Sequence, residues 1–349
     1  MTLTDLSYNV RKFAPFAVLG LLVILILYYL IQLVFLSFRP SNNNSLYINP
    51  IFGKIKKPVI KNAKSSAGLN YTIDTIEGKP ITATDSASVY FLPTSPTRFG
   101  YREKIYLIAK TLGFDPEVVK YKLDGKEAVF NDSKQTLRVD ITNFNFTYEY
   151  NFDSDPQVFQ GAIAPDKKES EDRAINFLKS IGRYPEELAK GKTNSIFVIY
   201  EPGSKRMTLT EQGEQANMIE VDFYRPDIEQ RYPIVSPTYF NSPNYVMMVP
   251  YQSGFKIIKA QVQFFDKSDV QIGTYPLKTG DVAWEEFKKG GGWIIQNQQN
   301  NQNVVIKSMF LGYLDPDVYQ EFLQPVYVFL GEDKFVGYMP AVSDAYMIQ

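Results

Sequence analysis

Beyond residue 70 the apolar positions follow a recurring plan, a short helix closed by glycine and then strands. The first helical window is YREKIYLIAKTLGF, with Ile105, Ala109 and Gly113 at spacings of four. The second is SEDRAINFLKSIGRY, with Ala174, Leu178 and Gly182, and the third is TGDVAWEEFKKGGGW, with Ala283, Phe287 and Gly291. Apolar residues one turn apart share a helix face, and a glycine supplies the left-handed conformation that ends a helix. Glu103, Glu171, Asp172 and Asp281 lie in or near the first turns, where negative charge suits the helix dipole.

A period of two follows each helix. Leu137, Val139 and Ile141 alternate, then Phe144, Phe146, Tyr148 and Tyr150, which predicts a hairpin across a short polar break. NSIFVIYEP and ANMIEVDFYRP predict strands closed by Pro202 and Pro226. YQSGFKIIKAQVQFFDKSDVQIGTYPL predicts two strands about a turn at KSD. VVIKSMFLGYL and QPVYVFLGEDKFVGYMPAV predict a C-terminal pair, the latter turning at Gly331–Asp333. Helices alternating with hairpins, not with single strands, imply an antiparallel α+β fold in which each sheet is covered by a short helix.

The N-terminal pattern is different in kind. From Phe13 to Phe38 no residue is charged, and the run is long enough to cross the hydrocarbon core as a helix. It exceeds the apolar core of a signal peptide, and no small-x-small cleavage site follows. The expected organisation is therefore an N-terminal flank over 1–12, a transmembrane helix over 13–38 and a flexible tether over 39–70. A first α+β repeat domain then covers 71–165, and a second α+β region covers 166–349. The tether is expected because PSNNN and the Lys-, Gly- and Ser-rich stretch after it hold little apolar periodicity. Arg11 and Lys12 face Arg39, Lys54, Lys56 and Lys57 across the span, and a strict count would place the large domain inside. Three of those lysines lie about 15 residues away, where the rule weakens, and long domains translocate largely regardless of charge. The expected topology is single-pass in the cell membrane, with the large domain extracytoplasmic.

Composition narrows the chemistry. The chain has no cysteine and no histidine, which removes disulfides, thiolate nucleophiles, Ser-His-Asp triads and the commonest metal ligand. A net charge of −1 argues against a nucleic-acid footprint, whereas 24 Tyr and 25 Phe favour strands and a large core. Asp153-Ser-Asp155 and Asp315-Pro-Asp317 could each offer two oxygens to Ca²⁺, but six to eight are needed, so both read as turns. Gly290–Gly292 has neither a preceding strand nor a following helix and reads as a helix stop, not a phosphate cradle. Glu186–Glu187 and Glu285–Glu286 are neighbours that point to different sides of a helix, so neither pair forms a dyad. Asn43, Asn70, Asn131 and Asn145 match the glycosylation pattern. No catalytic, metal or cofactor-binding residue is assigned, and no cofactor is expected.

The segments TYPLKTGDVAWEEFKKGGGWII, VVIKSMFLGYLDP and LQPVYVFLGEDKFVGYMPAV, in that order, resemble the PepSY-like repeats of membrane-anchored regulators of the YycH/YycI type. The segment ending FNFTYEYNF is similar to the variant in which a helix with LGF precedes a hairpin. The resemblance covers roughly 80–150 and 270–342; 185–265 has no clear counterpart. It implies a single anchor, an extracytoplasmic α+β domain and a regulatory or inhibitory binding role, without site residues. The leading expectation is a non-enzymatic binding or regulatory module whose partners are the membrane and another envelope or membrane protein. The alternatives are a structural component of an envelope assembly and a carboxylate-dependent glycan hydrolase.

Overall fold

The computed structural model describes residues 20–32, 48–94, 96–97, 99–211, 213–251, 254–298 and 300–348. The chain divides into two units, residues 1–47 and 48–349. Within the first, residues 20–32 form helix α1, whose Leu, Ile, Val and Tyr side chains are all exposed. At 1.5 Å per residue this helix rises about 20 Å, and the remainder of the span expected over 13–38 lies outside the described residues. Among the described residues no helix is long and apolar enough to cross a membrane.

Residues 48–348 build a mixed α+β unit dominated by sheet. The largest sheet is antiparallel and has nine strands, ordered Arg206–Thr210, Lys192–Glu201, Met218–Tyr224, Asn244–Tyr251, Gly254–Val262, Phe146–Tyr150, Gln135–Asp140, Glu127–Asn131 and Lys122–Asp124. Helix α2 (Tyr101–Thr111) and helix α3 (Lys167–Ser180) both contribute to the core on one face of it. Ile105, Ile108 and Ala109 of α2 join Phe130, Leu137 and Tyr148, while Ala174 and Leu178 of α3 join Val198, Val221 and Phe223. Helix α4 (Glu186–Ala189) is a single turn that leads into the strand at Lys192.

Seven strands form the second large sheet, built around Asn303–Leu314 and its antiparallel neighbours Pro325–Gly331 and Val336–Pro340. Trp293–Gln296 and Lys64–Ser65 extend it on one side; Ile234–Val235 and Asn70–Ile73 add parallel to Asn303–Leu314 on the other. Helix α5 (Gly280–Lys288) belongs to its core through Ala283, Trp284 and Phe287. A three-stranded sheet of Ile272–Pro276, Ser86–Phe91 and Phe322–Leu323 shares that core, and Ile55–Lys56 pairs parallel with Met347–Ile348.

Several expectations change here. The three helices do not each cover their own sheet, because α2 and α3 share one. The hairpin Gln135–Asp140/Phe146–Tyr150 left an open edge, and Gly254–Val262 fills it in the register Ala260↔Tyr148. A boundary at 165/166 therefore runs through the nine-stranded sheet. The strands on either side of KSD belong to different sheets, so no hairpin closes there. Helix α5 ends on Gly290, whose φ is 94°, and not on Gly291.

The second half of the tether is part of the fold. Ile55 is buried opposite Met347, and the Ser66 hydroxyl donates to the Phe287 carbonyl at 2.6 Å while accepting from the Gly292 N–H at 3.2 Å. Ser66 thus serves backbone groups left open at the α5 C-terminus. Lysines around these two anchors stay exposed, which is why the composition alone resembled a spacer. Removal of residues 1–47 is expected to leave thermal unfolding of the unit unchanged. Removal of 1–65 is expected to destabilise it by at least about 2 kcal/mol through loss of buried Ile55. Equal unfolding midpoints for the two truncations would show that the 48–65 segment contributes nothing.

Candidate functional site

Five of the acids singled out in the sequence are each placed with a separate partner. Asp153 accepts from the Tyr200 hydroxyl at 2.5 Å, and Asp155 from the Tyr150 hydroxyl at 2.6 Å. The Tyr200 hydroxyl holds the Asp153 carboxyl below the usual carboxylate range, while burial pushes Tyr200 and Tyr150 up to about 12. Glu186 pairs with Lys190 at 2.7 Å, Glu285 with Lys288 at 2.7 Å, and Glu286 with Lys278. No group of three His, Cys, Asp or Glu side chains among the described residues could hold a metal ion. Asn145 is 95% enclosed, its carbonyl accepting from Arg183 Nη2 at 2.6 Å and from the Phe264 N–H at 3.1 Å, so this sequon is closed to glycosylation. Asn43 lies outside the described residues.

Two clusters that the sequence did not reveal carry most of the buried charge. The first is centred on Arg225, directly after the strand Met218–Tyr224, with none of its side chain exposed. Its Nε donates to Asp315 Oδ1 at 2.8 Å, its Nη1 to Glu187 Oε2 at 2.8 Å, and its Nη2 to the Phe265 carbonyl. The Phe264 ring packs against the guanidinium at 3.8 Å. Asp315 follows the central strand of the seven-stranded sheet, Glu187 sits on α4 and Phe265 follows Gly254–Val262. One planar fork therefore joins the two large sheets and a helical turn, a geometry that guanidinium suits better than ammonium. Burial pushes the Asp315 carboxyl up, and Arg225 pulls it back only in part. Asp317, two residues on, takes no part in this cluster.

The second cluster lies on the other face of the nine-stranded sheet from α2 and α3. In Met218–Tyr224, Ile219, Val221 and Phe223 enter the helix-covered core, which leaves Glu220, Asp222 and Tyr224 on the opposite face. The register puts Tyr245 and Asn194 opposite Asp222, and Met247 and Ile196 opposite Glu220. Asp222 has no exposed surface. Its Oδ2 accepts from the Tyr224 hydroxyl at 3.1 Å, and its Oδ1 has no hydrogen-bond partner among the described residues. Burial first, and the Glu220 charge second, push the Asp222 carboxyl up to about 7, opposed in part by Tyr224 and the Ser242 backbone. Burial also raises Glu220, against the pull of Lys259. The alternation E-V-D-F-Y predicts that these polar side chains share a face; nothing local predicts that this face is covered.

No family model matches the chain, and no curated protein matches it. Among solved structures the chain is similar to an uncharacterized protein from Eubacterium rectale ATCC 33656, at 12% identity and a TM-score of 0.38, over 80% of this chain and 91% of the other.

Proposed function

We propose that the chain is a membrane-anchored, non-enzymatic binding or regulatory module whose folded unit works outside the cytoplasmic membrane. The observation that carries the reading is the uncharged run from Phe13 to Phe38, followed after a short segment by a unit that begins at residue 48. The exposed apolar side chains of α1 support it, since a helix apolar on all sides needs a nonaqueous or protein surrounding. The PepSY-like pattern of the C-terminal segments supports the regulatory part. A glycan hydrolase would need acids that a sugar can reach, whereas the same-face pair Glu220 and Asp222 includes a carboxyl with no exposed surface.

A second reading, an envelope component joined to its neighbours by strand addition, is favoured by one feature. Arg206–Thr210 forms an edge of the nine-stranded sheet and carries Met207 and Leu209 exposed at 46% and 72%.

The full chain is expected to sediment with membranes and to resist extraction by salt and carbonate. Protease added to intact cells is expected to remove the folded unit, and crosslinking in membranes to trap a membrane or envelope protein. A chain that washes off the membrane, or one cut only after lysis, would overturn the anchor or the orientation respectively.

A further inference from the structure

The Tyr224 hydroxyl stands between two acceptors. It lies 3.1 Å from Asp222 Oδ2 and 3.4 Å from the carbonyl oxygen of Phe240. A hydroxyl has one proton to donate, so it can serve only one of these at a time, although its oxygen can accept as well. Phe240 belongs to the segment 236–241, which touches both large sheets. At one end the Ser236 carbonyl accepts from the Tyr338 hydroxyl of the seven-stranded sheet at 2.8 Å. At the other the Ser242 hydroxyl donates to the Phe223 carbonyl of the nine-stranded sheet at 2.6 Å. Ser236 and Thr238 both donate to the Asn241 carbonyl and hold the segment as a loop, with Tyr239 at a φ of 64° beside the half-exposed Phe240 ring.

We propose that Asp222 and Tyr224 form a proton-controlled anchor for the 236–241 segment, in which the tyrosine hydroxyl serves the carboxylate when it is ionised and the Phe240 carbonyl when it is protonated. With Asp222 ionised, Tyr224 donates to Oδ2 and the Phe240 carbonyl loses its donor. When Asp222 takes a proton from solvent, its new O–H donates to the tyrosine oxygen, and the tyrosine proton turns to Phe240. Only a proton moves, and one hydrogen bond is exchanged for two in series.

The groups facing Asp222 leave it free to titrate. Glu220 on its own strand repels its charge, and Tyr245 opposite it adds no cation. Asn194 on the other neighbouring strand is neutral, and Lys192, opposite Tyr224, is paired with Asp227 at 3.1 Å. Lys259 acts on Glu220 and is paired with Glu149 at 2.9 Å. No described cation forms a salt bridge with Asp222, and its enclosure places the transition near neutrality, at about 7. The sign follows from linkage. A carboxyl raised above its ordinary value contributes stability that is complete in acid and is lost as pH rises through about 7, so the anchor holds at low pH and releases above neutrality.

Hydrogen–deuterium exchange of the full chain in detergent, corrected for the intrinsic pH dependence of exchange, tests this at residues 239–241. Protection in the unaltered protein is expected to fall about fivefold between pH 6 and pH 8, the effect of one ordinary hydrogen bond. Asp222→Asn, which keeps a donor toward the tyrosine oxygen, is expected to hold the high protection at both values. Tyr224→Phe is expected to hold the low protection at both. Parallel pH responses in all three proteins would overturn the proposal. Should either variant fold poorly, the carboxyl ¹³C titration of Asp222 in the unaltered protein decides. A midpoint near neutrality supports the anchor, and one in the ordinary carboxylate range overturns it.

Discussion

Arg225→Ala is expected to destabilise the folded unit by about 3–5 kcal/mol, because it strands the buried Asp315 carboxylate without its counter-charge and takes one from the partly exposed Glu187. Asp315 and Glu187 sit 2.8 Å from the guanidinium, and the arginine side chain has no exposed surface. Chemical denaturation of residues 48–349 measures the effect. The loss is an imbalance created by removing one partner, so a paired replacement distinguishes its origin. Arg225→Met combined with Asp315→Leu removes both charges, leaves Glu187 at the partly open edge, and should recover most of the loss. A single variant within about 1 kcal/mol of the parent would mean that water reaches the cluster and screens it.

Phe287→Ala carries a comparable expectation through a different mechanism. The ring is fully buried, with its centroid 4.4 Å from Phe329 and 5.0 Å from Tyr71. It also lies against the chain at Gly292 and Gly337, where an added Cβ would collide with it. Truncation leaves a void walled by rigid main chain that cannot collapse to fill it, so the cost should be about 3–5 kcal/mol, the usual range for a core phenylalanine. Gly337→Ala should also destabilise, since it drives a methyl into the same ring. An unfolding midpoint unchanged by Phe287→Ala would show that α5 is not packed on the seven-stranded sheet.

What was legible in the sequence was what neighbours in the chain decide. The three helices appear with Ile105, Ala109, Ala174, Leu178, Ala283 and Phe287 buried as their spacing requires. Gly113 and Gly182 adopt the left-handed φ values that close their helices. The hairpin across residues 141–145 and the C-terminal pair turning at 331–334 are also present. What could not be read was assembly. Any open strand edge offers the same row of N–H and C=O groups, so nothing in FTYEY names Gly254–Val262 as its neighbour. The same blindness hid the site chemistry. Arg225 and Asp315 are ordinary charged residues beside prolines in the sequence, and only the meeting of two sheets makes them a buried pair. Ile55 failed as a signal because a single apolar residue among lysines has no periodicity to detect.

The pairing of Ile55–Lys56 with Met347–Ile348 has a consequence for biosynthesis. Nearly the whole folded unit separates these partners, so as the chain emerges from the ribosome the early strand has nothing to pair with until residues 347 and 348 have been made. During that interval Ile55 and the edge beside it stay open to solvent or to a chaperone, and long-range pairing of this kind is slow to form. A chain that stops just before residue 347 would carry the described helices and both large sheets. It would still lack the closing strand, and quality control could recognise it by an N-terminal segment that never docks.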